Sequence, residues 1–196
     1  MIFNVLTVFR EIFRSPLKYG ILSKAIKKNK IKINLYNYND FLKNNERIDD
    51  SQYGGDAGMV ITYDKASRAI EAIKSNNSKT LVVFLTPKGR LLDNKLTTEL
   101  AKTKNLTIVC GRYEGFDQRL IENYADLELS VGDYVISGGE IAALTIIDSV
   151  SRMVNSVVGK KESVEKDSFQ NSLLKNSVYT RPAVFKRSEV PRVLVS

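Results

Sequence analysis

The chain contains 196 residues, with a formal net charge of +8, no histidine and a single cysteine. One cysteine excludes an internal disulfide bond, and the lack of histidine excludes a serine–histidine triad and the usual zinc sites, so we expect no bound metal of these kinds. The basic charge favours a phosphate-rich partner, although a composition rich in Lys, Asn and Ile is also typical of an A/T-rich genome.

Apolar runs are short throughout the chain. The run LVVFL at 81–85 is among the longest, far below the roughly 20 residues of a membrane-spanning helix. The N-terminal MIFNVLTVF lacks the basic region and cleavage site of a signal peptide and is better interpreted as a first strand. We therefore expect a cytoplasmic protein with no membrane partner.

Strand and helix patterns alternate through most of the chain. Apolar segments predict strands at residues 2–8, 31–36, 58–62, 80–85, 106–110 and 127–130. Several are continuously apolar, which is typical of a parallel sheet covered on both faces. Helical patterns occupy residues 22–29, 65–75, 94–103, 117–124 and 140–154, and Asp64 and Asp93 are predicted N-caps of the second and third. The alternation predicts an α/β domain over residues 1–155.

Two polar stretches interrupt this alternation. Residues 38–57 end in a glycine cluster and predict a long surface loop, whereas residues 156–180 are rich in Ser, Lys, Asn and Glu and predict a linker. The tail after them has too few residues for a domain of its own. Residues 156–196 are therefore expected to form an appendage to the α/β domain.

Three glycine-bearing turns each follow an apolar run: FLTPKGR (84–90), VCGRYEGFD (109–117) and SVGDYVISGGE (130–140). In open α/β sheets, ligands bind outside the carboxyl ends of the strands, so converging loops would form one pocket. Glycines let a backbone approach a ligand closely. No turn matches GxGxxG or the P-loop, and the alternative that these glycines only make turns stays open.

Six strings carry a family resemblance: YGGDAGM (53–59), CGRYEGFDQR (110–119), SVGDYVISGGE (130–140), IIDSVSR (146–152), DSF (167–169) and YTRP (179–182). In this order they resemble bacterial tRNA (guanine-N1)-methyltransferases of the TrmD type, in the SPOUT superfamily. The resemblance implies a parallel sheet flanked by helices with a C-terminal trefoil knot, and a homodimer in which the linker of one subunit completes the site of the other. The family's helical C-terminal domain is largely absent, so residues 156–196 would be the interdomain linker and its stub.

The resemblance also implies the reaction, which is transfer of a methyl group from S-adenosylmethionine to N1 of the guanosine at tRNA position 37, immediately 3′ of the anticodon. The three turns would hold the cofactor in a bent conformation, largely through backbone groups. The residues this assigns to the cofactor are Leu85, Thr86, Pro87, Gly111, Tyr113, Glu114, Val131, Gly132, Asp133, Tyr134, Val135, Ile136, Gly138, Gly139 and Ala142.

Methylation at N1 needs a base, because N1 of guanine carries a proton at neutral pH, and a cation near O6, where negative charge develops. The resemblance assigns the base to Asp167 and the cation to Arg152. The alternatives are that Asp167 is a helix N-cap before Ser168 and Phe169 and that Arg152 is a solvated helix residue. No metal is required, and a requirement for Mg²⁺ stays open.

Three other residues have two interpretations each. Glu114 is placed to balance the sulfonium charge of the cofactor or to pair with Arg112, and Asp133 either contacts the cofactor or only starts a turn. Cys110 ends an apolar strand and is interpreted as a core residue, because it lacks the companion base that a cysteine nucleophile needs.

The loop DDSQYGGDAGM (49–59) resembles the family segment that borders the substrate guanine. It differs from the usual pattern at Ser51, Gln52, Asp56 and Ala57, and Thr86, Lys88 and Ala142 are further departures. The loss of an arginine at Ser51 would weaken RNA contact. The residues assigned to the substrate are Asp49, Asp50, Tyr53, Gly54, Gly55 and Gly58.

Two other functions remain open at this point. One is methylation of a ribose 2′-hydroxyl by another enzyme of the superfamily, and the other is a binding protein without activity. The YGG and DSF strings favour the N1 reaction over the first, and the presence of Arg152 and Asp167 counts against the second.

Overall fold

Five parallel strands form the central sheet in a computed structural model that describes residues 1–77, 79–159, 167–169 and 173–195. The nine strands of these residues are β1 (Ile2–Thr7), β2 (Lys32–Asn37), β3 (Asp49–Ser51), β4 (Met59–Ile61), β5 (Thr80–Leu91), β6 (Asn105–Val109), β7 (Leu127–Ser130), β8 (Val184–Phe185) and β9 (Ser188–Glu189). The sheet has the order β2-β1-β6-β5-β7. The predicted α/β class with a parallel sheet is confirmed.

Helices connect the strands: α1 (Arg14–Lys18), α2 (Gly20–Lys27), α3 (Tyr63–Asn76), α4 (Asn94–Leu100), α5 (Gln118–Tyr124) and α6 (Gly139–Met153). Short 3-10 helices occupy Arg10–Phe13, Tyr38–Phe41 and Arg192–Leu194. Asp93 caps α4, since its carboxylate accepts the Leu96 N–H at 2.6 Å. The cap predicted at Asp64 is wrong, because α3 begins after Thr62 and Asp64 lies in its first turn.

The long surface loop predicted at 38–57 is confirmed only in part, because two short elements lie within it. Tyr38 is fully buried in a 3-10 helix, and Asp49–Ser51 pairs antiparallel with Met59–Ile61. This pair is a small separate sheet, so the strand predicted at 58–62 does not join the parallel sheet. The sequence concealed β3 because aspartate is depleted in strands, whereas here pairing with β4 gives the segment its extended conformation.

Apolar clusters cover both faces of the sheet. One face carries α2, α4 and α6, with Leu22, Leu96 and Ile146 among its buried side chains. The other carries α3 and α5, with Ile70 and Leu120 buried against the strands. Because the central strands are covered on both sides, most of their residues are apolar. Asn4 and Thr107 are buried exceptions, and the Asn4 amide donates to the Thr107 hydroxyl at 3.5 Å.

The chain divides into two compact units, Met1–Val164 and Glu165–Ser196. In the described part of the second unit, β8 and β9 form a short antiparallel pair and most side chains are exposed. The linker predicted at 156–180 lies partly outside the described residues. The division into 1–155 and 156–196 stays a prediction.

Candidate active site

The first glycine-bearing segment is an interruption within one strand. Leu85 and Arg90 both pair with Leu129, so the four residues between them, 86–89, are excluded from the ladder. A Cβ at Gly89 would collide with the backbone of Leu129. The strand predicted to end at residue 85 therefore resumes and runs to Leu91, because glycine lets the chain return to its partner strand.

The second segment follows β6 and rests on the small sheet. The Glu114 N–H donates to the Met59 carbonyl at 2.9 Å, and the Ile61 N–H donates to the Gly115 carbonyl at 2.9 Å. Tyr113 has a φ of 59°, which is uncommon for a residue with a side chain. These bonds join the 109–117 segment, which is predicted to bind the cofactor, to β4. The loop predicted to border the guanine leads directly into β4.

The third segment joins β7 to α6 and lies directly against the second. The Gly139 N–H donates to the Gly111 carbonyl at 2.8 Å, and a Cβ at Gly139 would lie 2.8 Å from Cα of Cys110. The sequence attributed this glycine to close approach of the ligand. The structure gives another reason, because the end of β6 occupies the space that a side chain at this position needs.

The three segments surround one pocket of about 250 Å³, which lies at the interruption of β5 and at the carboxyl ends of β6 and β7. Every residue assigned to the cofactor lines it except Asp133, which is exposed outside it. Five lining residues were missed by sequence reasoning: Arg112, Gly115, Leu129, Ser130 and Ser137. All five lie within or next to the three glycine-bearing turns, so their position in the sequence could have predicted that they line the pocket.

A largely buried ion pair lies in the wall of this pocket. Nη2 of Arg112 lies 2.9 Å from Oε2 of Glu140, and the side chains are 18% and 1% exposed. The Thr7 hydroxyl donates to the other Glu140 oxygen at 2.7 Å, and Nη1 of Arg112 donates to the Ser137 carbonyl at 3.0 Å. The guanidinium also lies 4.7 Å from the centroid of the Phe9 ring.

This pair settles one open alternative. Arg112 pairs with Glu140, so the alternative pairing of Arg112 with Glu114 is wrong. Glu114 is instead exposed, lines the pocket, and forms no ion pair among the described residues. A Cβ at Gly58 would lie only 2.5 Å from Cγ of Glu114. A residue with a side chain at position 58 would therefore collide with Glu114.

Cys110 is fully buried, and burial raises the pKa of its thiol, with the nearby Glu140 carboxylate adding to the rise. The Tyr38 hydroxyl donates to the Cys110 carbonyl at 3.2 Å, and burial likewise raises the pKa of this phenol. A thiol held in its neutral form is a poor nucleophile. The structure thus agrees with the interpretation of Cys110 as a core residue.

The residues assigned to the substrate differ in their surroundings. The side chain of Tyr53 is 99% exposed, and Gly54, Gly55 and Gly58 all have positive φ. Asp50 is exposed and accepts the Ser51 N–H at 2.8 Å. Asp49 is buried, with Oδ2 2.9 Å from Nη2 of Arg47, and the hydrogen bond from Arg47 lowers the pKa of this carboxyl.

The catalytic candidates lie in different units. Arg152 is half-buried in the last turn of α6 and does not line the pocket. Asp167 is half-buried in the second unit. Phe169 has a φ of 68°, so a right-handed helix does not run through it, and the alternative that Asp167 caps a helix continuing through Phe169 is wrong.

Among the described residues, no group of three or more Cys, Asp or Glu side chains is arranged to hold a metal ion. In the same part of the chain, every helix is too short or too polar to cross a membrane.

Comparison with known proteins agrees with this site. The sequence model described as tRNA (Guanine-1)-methyltransferase TrmD matches residues 1–196. A tRNA (guanine-N(1)-)-methyltransferase of Finegoldia magna is 46% identical over 100% of this chain and 84% of its own length. One of Buchnera aphidicola subsp. Acyrthosiphon pisum is 43% identical over 99% of this chain and 83% of its own.

The structural comparison gives the same family. The crystal structure of tRNA (m1G37) methyltransferase from Aquifex aeolicus superposes with a TM-score of 0.85 and 36% sequence identity, over 100% of this chain and 83% of that one. The chain belongs to the TrmD family of tRNA (guanine-N1)-methyltransferases.

Proposed function

We propose that this protein transfers a methyl group from S-adenosylmethionine to N1 of guanosine 37 in tRNA, immediately 3′ of the anticodon. The observation that carries the proposal is the pocket that Leu85–Pro87, the 111–115 segment and the 131–139 segment form together, in a chain of the TrmD family. Family membership indicates the reaction, and the pocket is the candidate site where it takes place.

The lining residues fit the methyl donor by their chemistry. The glycines at 111, 138 and 139 let the backbone itself line the pocket, and apolar side chains such as Leu85 and Ile136 surround them. The volume of about 250 Å³ lies just below the roughly 300–1,000 Å³ of typical ligand sites, so the pocket holds a single small molecule. When bound, the cofactor supplies an electrophilic methyl group on a cationic sulfur, and the exposed Glu114 carboxylate is available to balance that charge.

The acceptor needs two further groups from the chain. Asp167 removes the N1 proton as methyl transfer proceeds, and Arg152 stabilises the negative charge that develops at O6. Tyr53 and the glycines of its loop position the guanine. Asp49 is buried beneath this loop and paired with Arg47, so it supports the loop rather than reaching the base.

Arg152 and Asp167 act together across subunits in this proposal. The protein is a homodimer in which the second unit of one chain brings Asp167 to the Arg152 of its partner. The third segment is the last loop of a trefoil knot, and the enzyme works in the cytoplasm, where tRNA is found. The family membership supports these features.

The test is mass spectrometry of nucleosides from a tRNA transcript incubated with the protein and S-adenosylmethionine. We expect 1-methylguanosine with guanosine at position 37 and none with adenosine there. Ribose-methylated guanosine would assign the protein to the other reaction of the superfamily, and no methylation with intact cofactor binding would leave a binding protein.

A further inference from the structure

Positive charge is concentrated at the edge of the sheet opposite the pocket, where the parallel strands begin. Strands β2, β1, β6 and β5 start at one level, because Ile2 pairs with both Lys32 and Asn105, and Asn105 pairs with Thr80. Lysines lie at or just before three of these four starts: Lys30 and Lys32 at β2, Lys104 at β6 and Lys79 at β5. These four residues are called the lysine edge.

Backbone hydrogen bonds keep the lysine edge in place. The Ile2 N–H donates to the Lys104 carbonyl at 2.8 Å, and the Lys32 N–H donates to the Met1 carbonyl at 2.9 Å. The four lysines are exposed. None of them forms an ion pair with any residue that the structure describes. Their charge is therefore available to a partner.

Interaction with helix termini explains only the neighbouring cations. Lys24 and Lys27 lie in the last turn of α2, and Lys74 lies in the last turn of α3, where a cation stabilises the helix dipole. In the lysine edge, Lys30, Lys79 and Lys104 lie three or four residues beyond the ends of α2, α3 and α4, and the dipole effect falls off within the last turn of a helix. Asp126, just before β7, already accepts the Val82 N–H at 2.7 Å.

We propose that the lysine edge binds the phosphate backbone of tRNA at a point away from the anticodon. Adjacent strands are about 4.8 Å apart, so four strand starts extend over roughly 14 Å, and a strand of six residues separates this edge from the pocket by roughly 20 Å. The lysine edge therefore contacts a different part of the RNA from the part that enters the pocket. The inference rests on tRNA being the substrate.

The test replaces the four lysines by glutamine, in K30Q/K32Q/K79Q/K104Q, and measures affinity for full-length tRNA over a range of salt concentrations. Each lost phosphate contact reduces the slope of log affinity against log salt by about 0.7–0.9, so we expect a decrease of about 3 and at least a tenfold loss at low salt. Affinity for S-adenosylmethionine remains unchanged and shows that the variant is folded.

Two comparisons make the result specific. The matched variant K30R/K32R/K79R/K104R keeps the charge and should bind tRNA like the wild type. An isolated anticodon stem-loop should bind and be methylated equally by wild type and glutamine variant, which also tests the proposed function separately.

An unchanged salt slope for full-length tRNA overturns the inference. It is also overturned if the glutamine variant loses as much affinity for the stem-loop as for full-length tRNA. Loss of binding to anionic vesicles with unchanged tRNA affinity assigns the edge to a membrane surface instead.

Discussion

Arg112 and Glu140 form a buried ion pair that joins the second pocket segment to the start of α6, with Nη2 of Arg112 2.9 Å from Oε2 of Glu140. Hydrogen bonds to Thr7 and to the Ser137 carbonyl extend the contact to the end of β1 and to the third segment. Nε of Arg112 and Oε2 of Glu140 have no hydrogen-bond partner among the described residues. The pair is therefore held by charge attraction, and each partner depends on the other.

Glu140→Gln should destabilise the protein and weaken cofactor binding, because it leaves the Arg112 guanidinium buried without a counter-charge. Breaking a buried pair costs about 3–5 kcal/mol, whereas replacing both partners by apolar residues costs much less. We therefore expect R112M/E140L to recover part of the stability lost in E140Q. The measurements are denaturant unfolding and calorimetry with S-adenosylmethionine. Equal stability of E140Q and wild type would contradict the assigned role.

Gly139→Ala should abolish cofactor binding by displacing the third segment from the second, since its Cβ would lie 2.8 Å from Cα of Cys110. Overpacking of this kind costs about 1–3 kcal/mol, so stability should fall as well. Gly159→Ala is the matched control, because nothing lies within 4 Å of its Cβ position. If G139A keeps full stability while it loses only the cofactor, the space at this position serves the ligand and not the chain.

Asp167→Asn should retain cofactor affinity and lose methyl transfer by about a hundred- to ten-thousand-fold, because the amide keeps the shape of the carboxylate and cannot take the N1 proton. Asp64→Asn, at an exposed position in the first turn of α3, serves as the control. Single-turnover rates with bound tRNA separate chemistry from binding. Unchanged turnover in D167N would move the role of base to Glu114.

Mixing two inactive variants tests whether a site is shared between subunits. In a heterodimer of R152A and D167N, one of two shared sites receives both wild-type residues, so the mixture should regain about a quarter of wild-type activity after subunit exchange. If Arg152 and Asp167 act within one chain, every site stays defective and the mixture remains inactive. Light scattering on each variant establishes that dimers are present.

Acid should weaken the fold partly through Asp49. Its hydrogen bond with Arg47 lowers the pKa of this carboxyl in the folded protein, so its contribution is present above the unfolded pKa and is lost as pH falls through the folded one. That window lies at and below about pH 4. Asp49→Asn should lower stability at pH 7 by roughly 1 kcal/mol and flatten the acid dependence. Asp50→Asn, at an exposed position, should do neither. The measurement is the free energy of unfolding of wild type, D49N and D50N at pH values from 7 to 3.

Local sequence determined much of this protein. The strands at 80–85 and 106–110 are visible as apolar runs because a strand buried on both faces needs apolar residues at successive positions. The Asp93 cap is visible because donor and acceptor are three residues apart. The glycine-bearing motifs that line the pocket are also contiguous in the sequence, and their resemblance to the family predicted the reaction.

Tertiary structure decided the contacts between distant parts of the chain. Asp49–Ser51 is a strand only because Met59–Ile61 lies beside it, and Gly139 is required only because the end of β6 packs against it. Thr7 and Glu140 are 133 positions apart, and no periodicity relates them. They meet because Thr7 ends β1 and Glu140 lies in the first turn of α6, which begins beside the end of the neighbouring strand β6. The order of the strands in the sheet, rather than the order of the residues in the chain, determines which side chains are neighbours.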